Sequence, residues 1–313
     1  MPFTLQSQTW PGRDAVLLVH GIGNDPAGTR SEANVALRAA LGDDADRFAI
    51  YELRYDGIDD WFKEKTQAAA LVLQLVALLK KRFGDDSLGE TAAEFAGDVI
   101  FPVLSLSARA ALREAFISQL NKMIQDGPHG ALQRISVVCH SMGCFHTYEA
   151  IHAAVDDAAA LIGPQAGVYL QNVVFMASPV QLIKTVVREM GPLIPKRTTL
   201  ALNRSLRMPV AEMNDVSQPY VLRNFVSIAG DLDPVGGFLL RQKLDWAYMN
   251  VPGQKAFIDQ QSALGIDSAA QLRDVLLAAL RSKEPPQVTV QNPHDWSAYI
   301  DRHAEDLREW LVV

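Results

Sequence analysis

Short apolar runs alternate with helical repeats along this chain. The apolar runs predict buried strands at residues 14–20, 47–55, 135–139, 172–177, 225–229 and 288–290. Apolar residues spaced three and four apart predict helices at residues 31–41, 106–124, 143–155 and 298–311, and another from the capping box at 268–271 to the prolines at 285–286. Repeated strand-then-helix units are typical of an α/β fold, in which helices cover both faces of a mostly parallel sheet.

Two stretches interrupt this alternation, at residues 57–98 and 180–222. The first contains an apolar helix at residues 68–79, which is either packed inside the protein or covers an apolar pocket as a cap. The chain has no internal repeat and no linker long enough to separate two domains. We therefore expect one domain over residues 1–313, with the two stretches as insertions that could form a cap or lid.

Composition narrows the classes of partner. The 313 residues carry a formal net charge of −7, and no stretch gathers five Lys or Arg, so nucleic acid is a poor partner. The apolar segment at 68–79 is too short to span a bilayer, and the N-terminus lacks the basic start of a signal peptide. We expect a cytoplasmic protein without a transmembrane segment. The sequence does not decide between this location and export by another route. It also leaves undecided whether the protein contacts a membrane surface and whether it forms oligomers.

The most informative motif follows the third predicted strand. That strand runs into His140, Ser141, Met142 and Gly143, and a helix begins at once. A sharp strand-to-helix turn of this kind lifts a serine hydroxyl out of the sheet, and small residues beside the serine relieve the crowding in the turn. Cys139 stands where the usual motif has its first glycine. The alternative is a structural serine that caps the helix.

A second motif, His20-Gly21-Ile22-Gly23, ends the first predicted strand. Glycines let a main chain approach a reacting group closely, and main-chain N–H groups can stabilise a developing oxyanion there. We expect the N–H groups of Ile22 and Met142 to form this oxyanion hole. The alternative for the glycine motif is an ordinary tight turn.

These motifs, together with Gly230-Asp-Leu-Asp233-Pro-Val235 and Asn292-Pro-His294, resemble the α/β-hydrolase superfamily and its serine esterase and lipase branch. A weaker similarity, at Gly97-Asp-Val99 and the helix that follows, is to bacterial lipase-like hydrolases related to inositol deacylases. The resemblance implies an α/β-hydrolase fold and hydrolysis through an acyl-enzyme, without cofactor or metal.

On this fold the catalytic triad runs along the chain as serine, acid and histidine. Ser141 is the expected nucleophile. Asp233, on the loop after the fifth predicted strand, is the expected acid, with Asp231 as the alternative. His294, after the sixth predicted strand, is the expected base, with His303 on the last helix as the alternative.

The remaining histidines have other expected roles. His20 and His140 flank the two motifs, and we expect them to make structural hydrogen bonds. His146, Glu149 and His152 share a helix, but their spacing is not that of a known metal-ligand pair, so no metal site is expected.

The expected activity is hydrolysis of a carboxylic ester, either a small molecule or a lipid. A thioesterase or amidase with the same triad is an alternative of the same class. A non-catalytic binding protein on the same fold is an alternative of a different class. The insertions would set the substrate, because specificity in such folds lies outside the sheet.

Overall fold

The computed structural model describes residues 5–21, 31–53, 106–129, 133–156, 168–180, 183, 222–230, 233, 254–259 and 294–312. Most of both predicted insertions, the predicted strand at 288–290 and the predicted helix that starts at 268 lie outside these residues.

Six parallel strands form one sheet. The strands are β1 (Asp14–Val19), β2 (Phe48–Leu53), β3 (Gln133–His140), β4 (Val168–Met176), β5 (Leu222–Gly230) and β6 (Gln254–Asp259), in the order β2-β1-β3-β4-β5-β6. The first five match predicted strands, and the α/β fold with a parallel sheet is confirmed.

Five α-helices accompany the sheet in the described residues. They are α1 (Glu32–Leu41), α2 (Leu106–Asp126), α3 (Met142–Asp156), α4 (Trp296–Arg302) and α5 (Ala304–Leu311), and a short 3-10 helix (Gly42–Arg47) follows α1. Ser31 caps α1 by accepting a hydrogen bond from the N–H of Asn34 at 3.1 Å. Helix α1 packs against α4 and α5, and α2 packs against α3.

Consecutive residues of β3 show that helices lie on both faces of the sheet. Val138 belongs to the buried cluster that includes Leu37 of α1 and Tyr299 of α4. The next residue, Cys139, contacts Thr147 of α3. Because successive side chains of a strand point to opposite faces, α3 covers the face opposite to α1 and α4.

Two features differ from the sequence-based expectation. Strand β6 was not predicted, and it pairs with β5 at the edge of the sheet. The last helix, predicted as continuous over residues 298–311, is instead two helices that meet at His303, whose φ of −109° and ψ of 25° are not helical. The imidazole of His303 lies 3.0 Å from Oδ2 of Asp306 in the first turn of α5, which stabilises the break.

The strand order reverses between β1 and β3. The chain passes from β1 to β2 on one side, and β3 then pairs with β1 on the other side. Ligands of open parallel sheets bind where the order reverses in this way. Val19 is paired with Cys139 across the two strands, so Gly21 and Ser141 leave the sheet side by side.

Within the described part of the chain, no helix has both the length and the apolar character needed to cross a membrane.

Candidate active site

Ser141 occupies a strained turn between β3 and α3. Its φ is 51°, a left-handed value that residues with a side chain rarely adopt. The main chain holds this turn, because the Ser141 N–H donates to the Met176 carbonyl at 3.1 Å and its carbonyl accepts from the Cys144 N–H at 3.0 Å. Such strain is typical of a nucleophile elbow, in which the turn sets the direction of the serine side chain.

Two glycines make room for this turn. A Cβ on Gly21 would lie 2.8 Å from the Cβ of Ser141, and a Cβ on Gly143 would lie 2.3 Å from the carbonyl oxygen of Val19. Both distances are shorter than real carbon contacts, so neither position accepts a side chain without movement of the backbone. The end of β1 therefore passes directly beside the serine and the start of α3.

The two cysteines of the motif are structural. The Cys139 Sγ lies 3.1 Å from the hydroxyl of Thr147, and the Cys144 thiol lies 3.5 Å from the Met176 carbonyl oxygen. Burial raises the pKa of both thiols, so neither forms the thiolate that a cysteine nucleophile needs. Cys139, which stands where the usual motif has a glycine, thus packs against Thr147 in the second turn of α3.

Asp233 and His294 meet across the end of β5. Nδ1 of His294 lies 3.0 Å from Oδ2 and 3.1 Å from Oδ1 of Asp233. Asp233 is 2% exposed, whereas the side chain of His294 is 22% exposed. The pair thus has a buried carboxylate and an imidazole that reaches toward the surface.

Tyr299 of α4 also contacts the carboxylate. Its hydroxyl lies 2.7 Å from Oδ2 of Asp233 and 2.8 Å from the main-chain N of Gly230, the last residue of β5. The Asp233 N–H in turn donates to the Gly230 carbonyl at 3.3 Å, which closes the turn after β5.

An aromatic cluster joins His294 to the end of β3. The ring of His140, next to Ser141 in the chain, lies 4.6 Å from the ring of His294 and stacks on Trp296 at 5.6 Å. Burial lowers the pKa of His140 well below the usual value for histidine, the charge of His294 lowers it further, and Asp233 opposes this. His140 is therefore neutral at neutral pH. Because its ring contacts His294 and it precedes Ser141 in the chain, Ser141 and His294 lie at the same edge of the sheet.

His20 fills the other side of this cluster. Its ring packs edge-on against Trp296 at 4.8 Å, and its Nε2 lies 3.5 Å from Oε2 of Glu52. The other carboxylate oxygen of Glu52 accepts from the Asn34 amide at 2.5 Å and from the Ser31 N–H at 3.3 Å. Glu52 thus ties the end of β1 to the start of α1.

The structure brings Ser141, Met142, Gly143, His140, His20, Gly21, Asp233 and His294 to the carboxyl ends of β1, β3 and β5. Ile22, Gly23 and Asp231 lie outside the described residues. His303 contacts Asp306 at the junction of α4 and α5. Within the part of the chain that the structure describes, no three His, Cys, Asp or Glu side chains form a group that could hold a metal ion.

Sequence reasoning missed three residues that shape the site: Tyr299, Trp296 and Glu52. Tyr299 and Ile300 are both buried residues of their helix, so the apolar pattern of the sequence indicates only a core position for Tyr299. A buried tyrosine hydroxyl nevertheless needs a hydrogen-bond partner, and that requirement is the signal that could have identified it.

Comparison with solved structures finds similarity to hydrolases at low sequence identity. Alpha/beta hydrolase domain-containing protein 10 from mouse is 13% identical, with 89% of this chain and 94% of that chain covered and a TM-score of 0.34. Esterase LipW from Mycobacterium marinum is 11% identical, with 97% and 76% covered and a TM-score of 0.38. The RedJ thioesterase of the prodiginine pathway in Streptomyces coelicolor is 13% identical, with 86% and 90% covered and a TM-score of 0.35. No family model and no curated protein sequence matches the chain.

The fold is established by the chain's own strands. Six parallel strands reverse their order between β1 and β3, and a strained serine turn leads from β3 into the next helix. The chain has the α/β-hydrolase fold, as the resemblance in its motifs predicts.

Proposed function

We propose that this protein is a serine hydrolase that cleaves carboxylic esters through an acyl-enzyme intermediate. The observation that carries the proposal is the contact of His294 with buried Asp233, at 3.0 Å, on the same edge of the sheet as the strained Ser141 turn. A base held by a buried carboxylate, on the same edge of the sheet as a strained serine turn, is the arrangement that activates a serine for nucleophilic attack.

In the proposed first step, Nε2 of His294 accepts the proton of the Ser141 hydroxyl while Oγ attacks the ester carbonyl carbon. A bond forms between Oγ and this carbon, and the carbonyl π electrons move to oxygen. Asp233 stabilises the imidazolium that results. When the tetrahedral intermediate collapses, His294 returns the proton to the departing alcohol, and the acyl group stays on Ser141.

The N–H groups of Met142 and Ile22 are the proposed donors to the oxyanion. Met142 is the first residue of α3, and the first N–H groups of a helix have no acceptor within that helix. Their orientation adds the favourable field of the helix N-terminus. A water molecule, deprotonated by His294, then attacks the acyl carbon. The bond from this carbon to Oγ of Ser141 breaks, and His294 returns the proton to Oγ as the acid leaves.

The proposed substrate is a small-molecule or lipid ester, with contact at a membrane surface in the lipid case. Acyl selection is assigned to the insertions at residues 57–98 and 180–222, within a single domain of 313 residues. We propose a cytoplasmic location. A thioester or amide would be cleaved by the same steps.

Hydrolysis of p-nitrophenyl esters of increasing acyl length tests the proposal, with an acyl thioester and an anilide of the preferred acyl group run in parallel. Ser141→Ala should remove turnover. Ser136→Ala is the matched control, because Ser136 lies in β3, the strand that leads into Ser141, and both serines are 4% exposed.

Turnover that is lost in Ser141→Ala and kept in Ser136→Ala is the expected result. A higher kcat/KM for the thioester or the anilide would correct the substrate class. Undiminished turnover in Ser141→Ala would refute the assignment of the nucleophile, and a folded wild-type protein inactive on every substrate would favour the binding-protein alternative.

A further inference from the structure

The Tyr299 hydroxyl connects two segments that are distant in the sequence. The ring belongs to α4, is fully buried, and forms part of the core under the sheet. Its oxygen lies between Oδ2 of Asp233, at 2.7 Å, and the N of Gly230, at 2.8 Å. The C-terminal helix is thereby fastened to the turn that presents Asp233.

The direction of each proton follows from the donor types. The Gly230 N–H can only donate, so it occupies a lone pair of the phenol oxygen. The single phenol proton is then available to Oδ2 of Asp233, which accepts it as a carboxylate. Since an ionised carboxylate has no proton to give, Nδ1 of His294 must carry the proton between these two groups. In this tautomer Nε2 of His294 is the nitrogen without a proton, as a general base requires.

Helix α4 holds the base and Tyr299 as one unit. His294 directly precedes Asp295, the N-cap of α4, whose carboxylate accepts from the Ser297 N–H at 2.9 Å and from the Ser297 hydroxyl at 2.8 Å. The Tyr299 N–H donates to the carbonyl of Asp295 at 3.2 Å, in the same helical turn. A displacement of the turn that carries His294 would therefore displace Tyr299 as well.

We propose that Tyr299 is a positioning residue of the catalytic site. Its hydroxyl fixes the rotation of the Asp233 carboxylate, and the carboxylate then holds the His294 imidazole in the tautomer and orientation that face Ser141. This inference rests on the proposed function. Without the hydroxyl, the carboxylate loses one of the contacts that set its rotation, and the imidazole samples unproductive orientations more often.

Tyr299→Phe tests the inference because it removes one oxygen atom and keeps the ring. Tyr51→Phe is the matched control. The Tyr51 side chain is 1% exposed, and its hydroxyl also lies between a donor, the Trp10 indole at 2.9 Å, and a carboxylate, Asp126 at 3.1 Å. The Tyr51 hydroxyl also contacts the Gln8 carbonyl at 3.1 Å. Both variants remove a hydroxyl partner from a carboxylate, which is buried at Asp233 and half-buried at Asp126, so a purely structural role would lower the stability of both.

The expected kinetic result is a kcat lowered about 10- to 100-fold in Tyr299→Phe, from the loss of one hydrogen bond to a charged group, with KM within about twofold. Tyr51→Phe should keep kcat within about twofold of the wild type. The split between kcat and KM separates positioning from a general loss of folded protein, which lowers kcat in both variants by the folded fraction.

Proton NMR of the imidazole gives a second readout. An Nδ1 proton held between His294 and Asp233 should resonate well downfield of the amide region, and His294→Gln should remove this signal. We expect the signal to shift or broaden in Tyr299→Phe and to stay unchanged in Tyr51→Phe.

Two outcomes would overturn the inference. If the wild type is active and depends on Ser141, but Tyr299→Phe matches Tyr51→Phe in kcat and in the imidazole signal, Tyr299 has no positioning role and the proposed function still stands. If the folded wild type shows no turnover on any ester, thioester or anilide, the proposed function fails and this inference fails with it.

Discussion

The two ends of the central strand pair, β1 and β3, are built in different ways. At the amino ends, Asp14 and Arg134 form a two-pronged ion pair, with Nε to Oδ1 at 2.5 Å and Nη2 to Oδ2 at 2.7 Å. The Arg134 N–H also donates to the Arg13 carbonyl at 2.9 Å. The polar groups of this ion pair therefore have partners, and no described residue of either strand has a positive φ. Among the described residues at this end, one buried polar atom lacks a hydrogen-bond partner, Oε1 of Gln133 at the start of β3.

The carboxyl ends combine strain with polar groups that lack partners. Ser141 and Ala177, which follow β3 and β4, have φ values of 51° and 54°. In the described part of the chain, the buried Nε2 of His140 and Nε1 of Trp296 have no hydrogen-bond partner. Both features cost stability, and they lie together at the end of the sheet where the candidate site is found.

This difference shows how the fold divides its tasks. The paired amino ends and the apolar centre of the strands stabilise the sheet, and the carboxyl ends hold conformations that a free chain would avoid. Substitutions at the two ends should therefore separate activity from stability.

The largest difference between the effect on activity and the effect on stability is expected for His294→Gln. Loss of the base should lower kcat by roughly four orders of magnitude, because triad members act as a unit, while the free energy of unfolding changes little. Ester hydrolysis and denaturant unfolding of the same samples measure both quantities.

His303→Gln is its matched control, since His303 lies at the junction of α4 and α5. It should keep full activity. If His303→Gln lost activity and His294→Gln kept it, the base would be His303 and the account of the site would be wrong.

Gly143→Ala should show how closely β1 approaches the serine turn. The added Cβ would lie 2.3 Å from the Val19 oxygen, so we expect a loss of about 3 kcal/mol in the free energy of unfolding. At Gly42, with φ of 56°, ψ of −129° and nothing within 4 Å, alanine should cost about 2 kcal/mol, from backbone strain alone. Equal costs at the two glycines in urea unfolding would contradict the close approach.

Acid should lower the free energy of unfolding through His146, in the helix α3 that follows the carboxyl end of β3. Burial lowers the pKa of His146 to about 4. The unfolded chain binds this proton at about pH 6.5 and the folded chain only near pH 4, so stability is full above pH 6.5 and is lost as the pH falls through this window. Between pH 7 and pH 5 this histidine should contribute about 2 kcal/mol of the loss.

The pH dependence of His146→Gln measures this contribution. The variant should lose less stability than the wild type between pH 7 and pH 5, in unfolding curves recorded at both values. Parallel losses in the two proteins would show that His146 takes up its proton in the folded state.

At the amino end, Asp14→Asn should affect stability only. The ion pair with Arg134 is mostly buried, and removing its charge should cost about 1–2 kcal/mol. The kcat for the best ester should stay within about twofold. A large fall in kcat without a change in stability would contradict the division between the two ends.

The smallest expected effect is the difference in stability between two substitutions of Ser141. Both Ser141→Gly and Ser141→Ala should be inactive, but glycine adopts the φ of 51° without strain. Ser141→Gly should therefore be more stable than Ser141→Ala by about 1 kcal/mol in thermal or denaturant unfolding. An alanine variant as stable as the glycine variant would show that the turn stores no strain.

The sequence predicts the centre of the fold better than its margins. The strands β1 and β3 to β5 are apolar runs with clear turns, because both their faces are buried under helices. Strand β6, Gln254–Asp259, lies at the edge and begins with two polar residues, so its pattern is weak. The break at His303 was missed because the helical spacing of Ile300, Leu307 and Leu311 continues through it.

The candidate site was predictable where a motif fixes the backbone and not where a distant side chain completes it. The turn at Ser141 and the place of Asp233 after β5 follow from local patterns. The contact of Tyr299 with Asp233 spans 66 positions of the chain and depends on the packing of α4 beneath β5. Only the folded structure brings these residues together.

The most direct test of the central claim is the reaction of the protein with a fluorophosphonate, followed by intact mass and peptide mapping. A fluorophosphonate reacts with an activated serine and not with a structural one, so one adduct per chain is expected, on Ser141. Ser141→Ala should take up none, and Ser136→Ala should be labelled like the wild type. A wild-type protein that is folded and stays unlabelled, or an adduct on any other serine, would contradict the assignment of Ser141 as the nucleophile.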